Sequence, residues 1–338
     1  MQKAARLSYI DMAKGFAMLL VIIGHCTYSD KELVGWLYSF HMPLFFALSG
    51  FTFRPEKYNS LGKVIKAKFR QLVIPYFFFS VVLWALCLLL LDGMKLQYRH
   101  INELIGIVVS DRLSDYFFSL WFLTTLFLSE PLLWCLTRIT KGRTRWLAPI
   151  SVASFAVGTV AIDFFKGTYW SADLVPIALS FLMFGYLLRK KLDSSSDRQP
   201  SALLIAAAWG VNLLFFWLNY RLGGRSDLYF CKLVNPLYFY LSACGGTVGA
   251  ILLCRRLARC AALEYIGRFS IVFYAFESLA IPLSERFLRA VLGAAALERT
   301  PLPATALVLL MSCAMLAMAS VVYGAIRRSS KPQPVYAG

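Results

Sequence analysis

Repeated apolar segments, each about twenty residues long, restrict the fold of this chain more than any other feature. An apolar helix of about 20 residues crosses the hydrocarbon core of a bilayer, and a helix satisfies its own backbone hydrogen bonds there. Of the 338 residues, 59% are hydrophobic and only 16% are charged, which excludes an ordinary soluble domain. We predict a single all-α polytopic membrane domain, residues 1–338, with about ten transmembrane helices at 10–28, 34–53, 72–91, 116–137, 146–165, 173–189, 201–218, 235–254, 269–284 and 303–326.

Lys and Arg residues concentrate in alternate connections between these segments. Of the 35, 23 fall on the side of the N-terminus and 11 on the opposite side, and Lys14 lies inside a span. Cytoplasmic loops carry the excess of Lys and Arg in membrane proteins, so we expect both termini in the cytoplasm. The same clustering explains the net charge of +17 without a nucleic-acid partner, and membrane lipid is the expected surrounding.

The connections and the cysteines contain few signs of further structure. An apolar cluster within residues 94–115 favours a short helix at the membrane interface, and residues 190–200 form a predicted polar linker. The eight cysteines occur singly, so we expect free thiols, no metal site and no permanently bound cofactor. The N-terminal apolar run lacks an A-x-A-like cleavage site, and we interpret it as a retained first helix.

Polar residues in the first two spans indicate where chemistry takes place. At about 100° per residue, Asp11, Lys14 and His25 share one face of the first helix, with Lys14 and His25 about 16 Å apart along its axis. His41 lies on the next span, which must run antiparallel, so the two histidines can face each other. A lone histidine can simply bond a neighbouring helix, but intramembrane ionisable groups usually line a cavity or a pathway. We therefore expect the catalytic core within residues 6–76.

A basic segment follows the second span. Lys66, Lys68 and Arg70 precede Pro75, which is predicted to start the third helix. These cations suit anionic groups such as the phosphates of coenzyme A, although positive-inside bias also explains them. Within the second span, Ser49 is followed by a glycine, a pair that allows close approach of a ligand or of another helix.

Two carboxylates lie in later spans. Glu277 falls near the middle of the membrane, where a carboxylate must pair, stay protonated or face water. It is a candidate to orient a histidine or an acceptor hydroxyl. Glu130 precedes Pro131, and it either contacts substrate or satisfies the helix that the proline distorts.

Several of these motifs resemble a known family. The run Asp11-x-x-Lys14-Gly15, His25 after ten intervening residues, and the segments SFHMPLFFALSGFTF and KFRQLVIPYFFF resemble the acyltransferase family 3 membrane enzymes, especially those related to fucose 4-O-acetylases. The segments LWFLTTLFLSEPL and IGRFSIVFYAFESLAI extend the resemblance over most of the chain. It implies transfer of an acyl group, usually acetyl from cytoplasmic acetyl-CoA, to a carbohydrate hydroxyl of a cell-surface glycan or its lipid-linked precursor at a bacterial inner membrane.

The resemblance also implies roles for individual residues. His25 matches the family's essential histidine, and Lys14 takes the place of the Arg or Lys before it. Two positions depart from the pattern: Ala67 stands first in a basic motif that is often Arg-x-x-Arg, and Glu277 stands where relatives often have a histidine. The expected site comprises catalytic His25, His41 and Glu277, acyl-CoA-binding Lys14, Lys66, Lys68 and Arg70, and substrate-binding Asp11, Ser49 and Glu130.

Two other functions fit a basic polytopic chain. A transporter or flippase of polyprenyl-linked sugars would have related halves with broken helices in matching positions, and the sequence shows no such repeat. A structural partner in a polysaccharide assembly complex would tolerate loss of either histidine. The identity of the acceptor, acetyl against another acyl group, general-base against covalent acyl-histidine catalysis, and the oligomeric state are left open by the sequence.

Overall fold

Helices make up most of the part of the chain that the computed structural model describes, residues 8–90, 98–110, 120–165, 167–194 and 199–329. Within these ranges there is no β-strand, which confirms the all-α class. The helices are α1 (Ser8–His25), α2 (Lys31–Tyr38), α3 (His41–Thr52), α4 (Leu61–Lys68), α5 (Ile74–Leu90), α6 (Tyr98–Val109), α7 (Trp121–Ile139), α8 (Thr144–Phe164), α9 (Val175–Ser194), α10 (Ala202–Gly223), α11 (Pro236–Arg256), α12 (Ala261–Arg268), α13 (Ser270–Leu292), α14 (Ala294–Arg299) and α15 (Pro301–Ser329).

The number of long apolar helices agrees with the predicted ten. Nine segments of the described chain are long and apolar enough to cross a membrane, and α12 with α13 forms a tenth if this pair, bent by 86°, is one span. The protein is therefore a multi-pass membrane protein. None of its eight cysteines forms a disulfide. The predicted interfacial helix within 94–115 corresponds to α6, while residues 94–97, 111–115 and the first part of the predicted span 116–137 lie outside the described residues.

The third span begins earlier than predicted. It runs without interruption from Leu61 to Leu90, so the lysines that were expected in a loop are helical. Pro75 lies inside this span rather than at its start, directly after a π-helical turn at Phe69–Val73 in which the amide of Ile74 bonds the carbonyl of Phe69. Proline has no N–H, so one backbone carbonyl in the preceding turn has no amide partner. The wider π turn accommodates this missing hydrogen bond within a continuous helix.

The second span is broken, although a continuous helix at 34–53 was predicted. Helix α2 ends at Tyr38 and α3 begins at His41. The break frees backbone and side-chain polar groups, which need partners inside a membrane. Ser39 Oγ donates to the carbonyl of Trp36 at 2.7 Å, and Ser242 Oγ of α11 donates to Ser39 Oγ at 3.0 Å. Asn212 of α10 donates from Nδ2 to Ser242 Oγ at 3.0 Å. Two later helices thus stabilise the break.

Several other boundaries differ from the predictions; for example, α10 ends at Gly223 rather than at residue 218, and α13 ends at Leu292 rather than at residue 284. Helix α1 ends at His25 rather than at residue 28, because the chain turns at 26–30 and Asp30 caps α2 by accepting from the amides of Glu32 and Leu33. Helix α9 extends through the first part of the predicted linker 190–200 to Ser194. The ion pair of Arg189 and Asp193, four residues apart and 3.0 Å in length, stabilises that last turn. Residues 195–198 lie outside the described residues.

Helix α1 is held by an unusually close crossing with α12. A Cβ atom on Gly15 would overlap the carbonyl oxygen of Leu263, and one on Gly267 would overlap that of Asp11. Helices α3 and α9 cross in the same way at Gly50. Small residues allow backbones to approach this closely in membrane bundles. The two crossings fix the N-terminal helices against the later part of the chain.

Candidate active site

The last residue of α1, His25, contacts a carboxylate on α13. Its Nδ1 donates to Oε2 of Glu277 at 2.7 Å. The Glu277 side chain is fully buried, whereas 29% of the His25 side chain is exposed. A carboxylate can only accept from Nδ1–H, so the pairing selects the tautomer in which Nε2 is unprotonated. The exposed part of the ring can therefore accept a proton from a ligand.

The second carboxylate oxygen of Glu277 can accept a further hydrogen bond. Oε1 is buried and has no hydrogen-bond partner among the described residues. Such an atom carries a desolvation cost until a donor reaches it.

A second set of contacts fixes α1 against α13, two helical turns beyond Glu277. Glu285 accepts from the backbone N of Thr27 at 2.8 Å and from its Oγ1 at 2.7 Å. Arg289 Nε donates to the hydroxyl of Tyr28 at 2.9 Å. These bonds hold the end of α1 in register with α13 and so keep His25 opposite its carboxylate.

Tyr38 lies between the two histidines that the sequence singles out. Its ring centroid is 6.2 Å from that of His25 and 4.8 Å from that of His41. His41 is 4% exposed, and its Nδ1 donates to the carbonyl of Leu37 at 2.7 Å. The break in the second span places His41 at the first residue of α3, where its ring joins this aromatic contact. Its catalytic role stays a prediction.

The connection between α10 and α11, residues 224–235, reaches the same aromatic group. The Arg225 guanidinium lies 4.4 Å from the centroid of the Tyr38 ring, and its Nη2 is 3.0 Å from Oδ2 of Asp227. Burial raises the pKa of the Asp227 carboxyl, and the Arg225 charge opposes that rise. Sequence analysis did not select these residues, and the opposite charges two positions apart are a weak signal for them.

A second buried polar cluster lies nearer the start of α1. Lys68 Nζ is 2.8 Å from Oε2 of Glu130, with side chains 12% and 4% exposed, and it lies over the ring of Phe53 at 5.4 Å. Lys14 is close enough to act electrostatically on Glu130. We call Lys14, Lys68 and Glu130 the lysine cluster. Along α1, Lys14 is about 16 Å from His25.

The remaining predicted residues lie apart from His25. Lys66 and Arg70 are exposed and belong to the same span as Lys68. Asp11 Oδ2 is 3.8 Å from Nε of Arg268 on α12, and Ser49 Oγ donates to the carbonyl of Phe45 in its own helix at 3.0 Å. Substrate binding by Asp11 and by Ser49 stays a prediction.

Helix α12 is fixed to the beginning of α1 by one carboxylate. Glu264 accepts from Arg259 Nε and Nη2 at 2.7 and 2.8 Å and from Nη2 of Arg268 at 3.3 Å, and it also accepts from the hydroxyl of Ser8. The hydrogen bonds from Arg259 and Ser8 lower the pKa of Glu264 to about 2. This carboxylate therefore stays ionised and contributes to packing at the end of α1 remote from His25.

A many-helix membrane bundle that contains a partly exposed histidine paired with a buried carboxylate fits a membrane-embedded enzyme. The chain belongs to acyltransferase family 3, whose acyltransferase domain it matches over residues 7–324. This confirms the resemblance to that family. It is 26% identical over 201 residues to nodulation protein NolL of Mesorhizobium japonicum (strain LMG 29417 / CECT 9101 / MAFF 303099), an alignment covering 54% of this chain and 48% of that protein. The chain thus spans about half the length of this relative. No solved structure matches it.

Proposed function

We propose that the protein is an O-acetyltransferase of a bacterial inner membrane. It moves acetyl from cytoplasmic acetyl-CoA to a carbohydrate hydroxyl of a cell-surface glycan or its lipid-linked precursor, and both its termini are cytoplasmic. The observation that carries this proposal is the pairing of His25 with the buried Glu277 at 2.7 Å. Membership of an acyltransferase family supports the reaction class, and the distribution of Lys and Arg supports the orientation.

The donor approaches from the basic end of the bundle. Lys66 and Arg70 are exposed and receive the phosphates of acetyl-CoA. Both are two residues from Lys68 of the lysine cluster on the same span, and the pantetheine arm passes along α1 from Lys14 toward His25, a distance of about 16 Å. The thioester then reaches the histidine from one side of the membrane, and the acceptor reaches it from the other.

His25 serves as the general base in this mechanism. Its Nε2 takes the proton of the acceptor hydroxyl while the hydroxyl oxygen attacks the thioester carbonyl carbon. The C–S bond breaks, and the imidazolium returns the proton to the leaving thiolate, so that an ester and coenzyme A are released. Glu277 stabilises the imidazolium in between. If Nε2 is instead acylated first, the same contacts position it. His41 holds the acceptor or polarises the thioester.

The test is transfer of radiolabelled acetyl from acetyl-CoA to glycan in membranes containing the wild type or His25→Ala. We expect label in the glycan with the wild type only, and thermal unfolding in detergent that is the same for both proteins. Glu32→Ala, which alters an exposed side chain on α2, is the control and should transfer at the wild-type rate. Transfer by folded His25→Ala would contradict the proposal. Absence of transfer by folded wild type with a broad set of acceptors would favour the polyprenyl-sugar transporter.

A further inference from the structure

The connection between α10 and α11, which we call the α10–α11 loop (residues 224–235), is held in place by backbone hydrogen bonds and buried side chains. The amide of Asp227 donates to the carbonyl of Lys232 at 2.7 Å, and the reverse bond is 2.9 Å. Leu228 and Cys231 are buried, at 4% and 8% exposure. At the C-terminal end of the loop, the amide of Asn235 donates to a side chain of α10 at 2.9 Å. The loop therefore presents its side chains in fixed positions.

The ring of Tyr38 contacts both Arg225 and His25, the proposed catalytic histidine. Its guanidinium stacks on Tyr38 at 4.4 Å, and that ring lies 6.2 Å from the imidazole of His25. The Arg225 charge acts on both His25 and His41. With 39% of its side chain exposed, the guanidinium keeps donors available to a ligand, because arginine carries five N–H groups in a fixed fork.

Both carboxylate oxygens of Asp227 already have partners within the protein. Its Oδ2 pairs with Arg225 at 3.0 Å and only 5% of its side chain is exposed. Its Oδ1 accepts from the amide of Tyr229 at 3.0 Å. A carboxylate with this many internal bonds and so little exposed area orients the guanidinium and leaves the ligand contact to it.

A carbohydrate brings several hydroxyl oxygens, and only one of them reacts. Selecting it requires a second contact that orients the sugar while the reacting hydroxyl lies at His25, because orientation of the reactants supplies much of the rate in such sites. Arg225 occupies the place for this contact, at the opposite side of His25 from the lysine cluster. Hydroxyl and ring oxygens are acceptors that a guanidinium fork binds.

From this arrangement we propose that Arg225 binds the carbohydrate acceptor and that Asp227 is the residue that positions Arg225. The assignment rests on the proposed acyl transfer, since it names the acceptor contact of that same site. Together the two residues determine which hydroxyl is presented to His25.

The experiment measures initial rates of acetyl transfer by the full chain in membranes opened with detergent, so that both substrates reach both faces, with bacterial polysaccharide de-O-acetylated by mild alkali as the acceptor. The acceptor and acetyl-CoA are varied independently for the wild type, Arg225→Gln and Asp227→Asn. We expect Arg225→Gln to raise the acceptor KM by about tenfold or more, as for loss of a charged hydrogen bond. The acetyl-CoA KM should stay within about twofold, since the donor contacts are at the other end of α1. Asp227→Asn should give a smaller rise.

Arg221→Gln is the matched control, because Arg221 lies on the last turns of α10 and its guanidinium is over Trp217 at 5.7 Å. Its acceptor KM should equal that of the wild type. Normal transfer by the wild type with an unchanged acceptor KM for Arg225→Gln would overturn this assignment alone. Parallel rises in both KM values with a lower unfolding temperature would also overturn it, since they indicate a structural role. No transfer by the wild type would overturn the proposed function and this assignment with it.

Discussion

His25 and Glu277 are 252 positions apart in the sequence, and their geometry suggests different roles for the two side chains. The histidine ring is the part that a substrate can reach, while the carboxylate is fully buried behind it. A buried carboxylate beside an imidazole has its largest effect when the ring is positively charged, because the attraction is strong away from water. The pair is therefore suited to a reaction in which the histidine gains a proton transiently.

Glu277→Gln tests whether the charge of the carboxylate stabilises the protonated histidine. The amide keeps the size of the side chain and can still accept from Nδ1, but it carries no charge to stabilise the imidazolium. We expect kcat to fall about 10²-fold or more, with the KM of each substrate changed only slightly. Glu285→Gln is the control on the same helix, since it loses a charge but keeps hydrogen bonds to Thr27. A similar loss of kcat in both variants would show that helix register, not the charge beside His25, is responsible.

Sequence analysis could select His25, His41 and Glu277, because a titratable side chain in an apolar segment is conspicuous. It could not pair His25 with Glu277, since that depends on how α1 and α13 meet. Arg225 was not selected for a different reason. Its loop contains charged and aromatic residues, which are common at membrane–water interfaces, and the stacking on Tyr38 is visible only in the folded chain.

Helix packing depends on a few positions where no side chain fits. At the crossing of α3 with α9, a Cβ on Gly50 would overlap the carbonyl oxygen of Leu182. Gly50→Ala should push these helices apart and destabilise the protein by about 1–3 kcal/mol, as other overpacked cores do. Gly210→Ala on α10 is the control, because nothing lies within 4 Å of its added Cβ. It should be neutral or stabilise by up to about 1 kcal/mol. Thermal unfolding in detergent measures both; equal unfolding temperatures would contradict the close crossing.

Apolar length predicted the spans themselves but not their irregularities. The break at Ser39 and Phe40 depends on Asn212 and Ser242, which come from helices far along the chain. The π turn before Pro75 likewise could not be distinguished from a helix start, because proline is favoured at both places. Both irregularities lie beside candidate site residues, His41 in the first case and Lys68 in the second. Local sequence rules therefore failed where helices are shaped by their neighbours.

For the molecule as a whole, the two polar clusters lie at different depths along α1. The lysine cluster contains a buried ion pair of 2.8 Å, and His25 is about 16 Å farther along the helix. Lys66 and Arg70 are exposed on the same span as Lys68 of the lysine cluster. Arg225, with 39% of its side chain exposed, stacks on Tyr38 beside His25. An enzyme with this arrangement can take a charged donor from one face and a polar acceptor from the other, with neither substrate crossing the membrane.

This two-sided arrangement predicts a strict sidedness of the reaction in sealed vesicles. In inverted membrane vesicles, which expose the proposed cytoplasmic face, acetyl-CoA added outside should label de-O-acetylated polysaccharide enclosed in the lumen. The same polysaccharide added outside should stay unlabelled, because Arg225 and the exposed side of His25 then face the lumen. In detergent at a concentration that opens the vesicles, enclosed and external polysaccharide should be labelled equally. This result would show that both polysaccharide samples are competent acceptors. Equal labelling of enclosed and external polysaccharide in intact vesicles would show that donor and acceptor share one face, and it would require a different path to His25.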